Sequence, residues 1–145
     1  IVLMMPTPRE REIHRAIDAI ALAAENRDAA AMARLIHRDY QGVYGTRGTL
    51  IGRFGEVRRM YRDADIRVRD IEVAFRGERA LARFEWTWSA VLELQGRTIQ
   101  TGFFQETWAP AVAAFEREGE EGPWLLVEAN TKFPRFDPGE NLPGR

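Results

Sequence analysis

Three stretches between Ile66 and Trp108 alternate apolar and polar residues with a period of two: Ile66–Phe75, Leu81–Leu94 and Thr98–Trp108. Successive side chains of a strand point to opposite faces, so this pattern commits the middle of the chain to half-buried antiparallel sheet. Gly77-Glu78 and Gln95-Gly96 separate the stretches and suit tight turns, which makes them a meander. In the second stretch Phe84, Trp86, Trp88, Ala90 and Leu92 share one face, and Arg83, Glu85, Thr87 and Ser89 the other. An aromatic row of that bulk has to be covered by something apolar.

The cover lies upstream. Thr7-Pro8-Arg9-Glu10 reads as a helix start: a hydroxyl to cap free N–H groups, a proline at the first helical position and a glutamate three residues after the threonine. The helix is expected to reach about Glu25, burying Ile13, Ile17, Ile20 and Leu22 or Ala24 while Arg11, Arg15 and Asp18 face water. Asn26 or Asp28 caps a second helix, with Ala29, Met32, Ala33, Leu35 and Ile36 on its apolar side. Residues 39–48 carry Tyr40 and Tyr44 among glycines and read as a short strand or irregular crossing, after which Thr49 opens a third helix through Tyr61. Downstream of the meander, Pro110–Pro123 reads as a solvated loop and Trp124–Thr131 as a last strand. The expected division is an N-terminal extension over 1–9, one domain over 10–133, and a Pro/Gly-rich tail over 134–145. The fold class is α+β, with N-terminal helices packed on a curved antiparallel sheet.

A chain of 145 residues, 45% of them apolar, is enough for one core. Basic and acidic residues number 21 and 22, so no net field would hold nucleic acid or an anionic membrane, and neither partner is expected. Every basic residue except Lys132 is arginine, which suits forked carboxylate or phosphate recognition, although a genomic codon bias is the plainer account. The absence of cysteine removes disulfides, thiolate catalysis and cysteine-ligated metal. The two histidines stand in neither an H-x-H nor an H-E-x-x-H arrangement, so no metal site and no cofactor are expected. The apolar run Ile1–Met5 is too short to span a bilayer. A cytoplasmic location is expected, with an exported form left open because the chain begins at Ile1.

Between sheet and helices there is either dense packing or a pocket. Phe104, Glu106 and Trp108 share one face of the third stretch, and Trp124, Leu126, Glu128 and Asn130 share one face of the last strand. If these rows join the aromatic face, Glu106 and Glu128 point into an apolar interior. There each must find a partner such as Arg97, Tyr40 or Tyr44, or take up a proton at unusually high pH and become available for proton transfer.

The order of elements, with Arg79-Ala80-Leu81-Ala82-Arg83-Phe84, Phe104-Gln105-Glu106-Thr107-Trp108 and Gly122-Pro123-Trp124-Leu125-Leu126-Val127, resembles the nuclear transport factor 2-like superfamily (SnoaL and DUF4440 relatives, with a cystatin-like α+β fold) over about residues 10–131. The resemblance implies a cone-shaped pocket capped by the helices, and relatives that include isomerases, dehydratases, polyketide cyclases and binding modules, often dimeric through the sheet. A homodimer is expected on that ground. Glu106 matches a pocket aspartate common in relatives. Asn130 and Glu128 stand where many relatives have histidine, which puts histidine-assisted chemistry in doubt.

His37-Arg38-Asp39-Tyr40 closes the second helix, where a His–Asp pair beside a tyrosine could move protons, or could simply complement the helix dipole. The glycines at 42, 45, 48, 52 and 55 lack the strand-loop-helix context of a phosphate cradle. Ser89, the only serine, has no nucleophile elbow around it. The leading expectation is a module binding a small, largely apolar molecule against Tyr44, Trp86, Trp88, Phe104 and Trp108, with Tyr40, Glu106, Glu128 and Asn130 as polar contacts. The alternatives are a lyase or isomerase with Glu106 as base and Tyr40 or His37 as acid, and a non-catalytic accessory module with a solid core.

Overall fold

A computed structural model describes residues 5–95 and 99–131. The expected turn at Gly96, the partner Arg97 and the tail over 134–145 lie outside the described residues. Thr7 caps helix α1 (Pro8–Glu25), its hydroxyl accepting from the Glu10 N–H at 3.1 Å. The stripe Ile13, Ile17, Ala21 and Ala24 is buried; Leu22 is exposed, so of the two residues offered for the last turn Ala24 is the buried one. Asp28, rather than Asn26, caps the short α2 (Ala29–Arg34) by accepting from Ala31 N–H at 2.9 Å.

Leu35, Ile36 and His37 leave the helix and run beside the last strand. His37 N–H donates to the Leu126 carbonyl at 2.8 Å, and Leu126 N–H donates to the Leu35 carbonyl at 2.9 Å. The crossing that follows is a two-stranded hairpin, β1 (Gln41–Gly42) and β2 (Gly45–Thr46). Helix α3 (Arg47–Val57) is capped by Thr46 and not by Thr49, so it starts before the expected position and ends before Tyr61. Arg47 turns back to the end of α2, donating to the Ala33 carbonyl at 2.7 Å, which also accepts the Ile36 N–H, and to the Ile36 carbonyl at 3.1 Å.

The main sheet has the order β3-β4-β5-β6 and is antiparallel throughout: β3 (Tyr61–Arg76), β4 (Arg79–Gln95), β5 (Ile99–Arg117) and β6 (Trp124–Ala129). Every pair of neighbouring strands carries at least one register shift, and such bulges bend and twist a sheet. In β3 the chain bulges at residues 63–64, where Asp63 has φ 51°, and the Glu25 carboxylate at the end of α1 accepts the Ile66 N–H at 2.8 Å.

One sequence expectation fails here. Pro110–Arg117 is strand, not loop: β5 crosses Pro110 by a bulge opposite Glu85, between the Phe84–Ala111 and Trp86–Trp108 pairs, then pairs with both β4 and β6 through Ala113–Glu116. The proline sits on a stretch of β5 that β6 does not pair with, where a missing N–H breaks no ladder on that side. The core gathers α1, α3 and the inner sheet face around Ile13, Ile17, Phe54, Tyr61, Trp88 and Phe115. No helix among the described residues is long and apolar enough to cross a membrane.

Candidate functional site

The helices do not fill all the space over the aromatic row. A cavity of about 100 Å³ lies between them and the sheet. Helix α1 supplies Ile17, Ile20 and Ala24 to its wall, α2 supplies Met32, and α3 supplies Leu50 and Phe54. From the sheet come Phe84, Trp86 and Trp88 of β4, Ala113 and Phe115 of β5, and Leu126 and Ala129 of β6; Tyr40, Tyr44 and Thr131 complete the wall. No charged side chain is among these residues. The volume is well below the roughly 300–1,000 Å³ of pockets for drug-sized ligands and close to the ~150 Å³ of an engineered apolar cavity that takes up benzene.

The polar edges are few. Tyr40 is 2% exposed, and its hydroxyl makes no hydrogen bond among the described residues. Burial raises its pKa above the usual tyrosine value, and the charge of Glu128 raises it further, so the phenol stays neutral and can donate. The indole N–H of Trp88 is buried without a partner among the described residues, its ring standing edge-on to Tyr61 at 5.1 Å. Tyr44 lies under the Arg53 guanidinium at 5.6 Å.

Of the residues singled out from sequence, Tyr40, Tyr44, Trp86 and Trp88 border the cavity. Phe104, Glu106 and Trp108 do share the aromatic face, opposite Ala90, Trp88 and Trp86, but they stand on the part of β5 beyond the cavity wall and are half-buried. Glu128 and Asn130 are corrections. The register shift between Ala114 and Phe115 sets two β5 residues opposite three of β6, which reverses the alternation after Leu126. Ala129 and Thr131 therefore face inward.

Glu128 projects outward, 60% exposed, and accepts from Arg79 at 2.8 Å. Asn130 splints β5: its side-chain oxygen accepts the Val112 N–H at 2.7 Å, and its own N–H donates to the Val112 carbonyl at 3.0 Å. His37 is buried but is not part of the cavity wall, and its Nδ1 accepts the Asp39 N–H at 3.0 Å, so that nitrogen carries no proton to give. Thr131, Ala113 and Phe115 escaped the sequence reading because one lies past a bulge and the others inside a stretch read as loop.

No family model matches the chain, and no curated protein matches it. Among solved structures it is similar to a nuclear transport factor 2-like superfamily protein from Salmonella enterica (14% identity, 92% of this chain and 96% of that one, TM-score 0.68). It is also similar to a candidate dehydratase of the NTF2-like family from Streptomyces avermitilis (16% identity, 86% and 96%, TM-score 0.66). A third is a cystatin-like protein of unknown function from Nostoc punctiforme (13% identity, 88% and 92%, TM-score 0.62). The chain has the nuclear transport factor 2-like fold, as its motifs suggested. Likeness at this level of identity carries the fold and leaves the activity to the site.

Proposed function

We propose that this protein binds a small, largely apolar molecule in the cavity between its helices and its sheet. The observation that carries this reading is the wall itself: aliphatic and aromatic side chains from all three helices and three strands surround about 100 Å³ of space, with no charged group among the described residues that line it. Packed interiors leave few voids larger than a water molecule, and an unfilled one loses the dispersion contacts of its lining, so an occupant recovers stability that the empty protein lacks. A general-base enzyme would need a carboxylate at the cavity; Glu106 and Glu128 both stand outside the wall, which is why binding is the better-supported reading.

Titration calorimetry with toluene tests it. Saturable binding is expected, and Ala129→Leu, which puts an isobutyl group into the cavity, should abolish it while the circular dichroism spectrum stays that of the wild type. Heats indistinguishable from dilution in the wild type would refute the reading.

A further inference from the structure

Gly42 occupies a strand position whose backbone lies outside the left-handed region, so the chain does not need glycine there for conformational reasons. What glycine provides is room. A Cβ at residue 42 would fall 2.6 Å from Tyr40 Cζ and closer still to the hydroxyl oxygen, distances that real Cβ atoms do not tolerate, and a tight 3.1 Å from Cε1. The tyrosine ring is therefore seated flush on the bare backbone of β1, and the empty space it borders is the cavity.

Tyr40 also ends in an unused donor. Its hydroxyl bonds to nothing among the described residues although the side chain is almost wholly buried, and an unmet buried polar group is costly until something pairs with it. The Trp88 indole N–H is unpaired too, but it is sealed beneath neighbouring atoms, whereas the Tyr40 oxygen is not. Since no charged side chain is among the described residues of the wall, a carboxylate, phosphate or ammonium group would meet no counter-charge from them.

We propose that Gly42 sets what the cavity selects: by carrying no side chain it seats Tyr40 so that the phenol hydroxyl meets the occupant, which is an uncharged molecule bearing a hydrogen-bond acceptor. This rests on the binding reading above and assigns it a ligand class. The test uses two probes of one shape, cyclopentanone and methylenecyclopentane, which differ in an oxygen acceptor against a methylene group, titrated into the full chain. The wild type should bind the ketone about fivefold more tightly, the worth of one neutral hydrogen bond.

In Tyr40→Phe, which keeps the ring, that ratio should fall to about one. In Gly42→Ala, which drives the ring toward the cavity, both probes should weaken at least tenfold. Equal binding of the two probes by the wild type, or an undiminished ratio in Tyr40→Phe, overturns the ligand class and leaves apolar binding standing; unchanged titrations in Gly42→Ala overturn the role of the glycine. Should Gly42→Ala fail to fold, the ratio in Tyr40→Phe decides. If neither probe binds the wild type, the binding reading falls and this inference with it.

Discussion

Tyr61 begins β3 and is buried to 1% exposure, yet its hydroxyl reaches across to donate to the Ala24 carbonyl at the end of α1 at 2.5 Å. Burial raises its pKa strongly, against the opposing pull of Arg27 and Arg58, so the folded protein keeps this proton where the unfolded chain loses it. A raised pKa in the folded state gives stability that is complete below the ordinary tyrosine value near 10 and drains away as pH climbs above it. Tyr61→Phe is expected to cost about 1 kcal/mol at neutral pH through the lost hydrogen bond. It should also reduce the alkaline loss of stability by up to about 1.4 kcal/mol per pH unit. Urea midpoints measured at pH 7, 9 and 10.5 check both, and parallel slopes for the two proteins would contradict the assignment. Local chemistry of this scale was partly legible in the sequence. The Thr7 cap was, because a capping box is a contact within one turn, and so was Asp28 as one of two candidates. The partner of Tyr61 was not, since nothing within a few residues of it announces a carbonyl at position 24.

At the scale of elements the sequence reads well wherever periodicity is unbroken and badly wherever a bulge resets it. The faces of β4 from Phe84 to Ser89 and of β5 from Phe104 to Trp108 came out as patterned, with Phe84, Trp86 and Trp88 inside and Thr87 and Ser89 outside. Beyond Trp108 the run Ala109-Pro110-Ala111-Val112-Ala113-Ala114 has little alternation and a proline, and so looked like loop, while in the fold it is the rim of a bulged strand held by Asn130. Bulges are tertiary choices: they depend on which neighbour the strand meets, and no local signal marks them. The same cause moved Glu128 from the expected interior to an outer ion pair with Arg79, and brought Ala129 and Thr131 in. Asn130→Ala removes the acceptor for Val112 N–H, and a loss of about 1 kcal/mol is expected. Amide exchange should locate that loss, with Val112 exchanging faster and amides of the β3–β4 pairing little changed; uniform acceleration across the sheet would mean that Asn130 does not act as a local splint.

For the whole molecule, the architecture follows from one mismatch of volumes. An aromatic row on a bent sheet is covered by helices whose facing residues include Ala24 and the six-residue α2, and small side chains opposite large ones leave a gap where shapes do not interlock. That a pocket or a dense core must lie there was legible from the row of tryptophans; the choice between them was not, because it turns on how closely the helices approach. The most direct measurement is a crystal structure of the protein pressurised with xenon, an atom that enters apolar cavities without needing a polar partner. The account predicts a xenon site bounded by Ile17, Leu50, Phe54, Trp86 and Phe115. Diffraction that shows those side chains in mutual contact, with no xenon between helices and sheet, would contradict it.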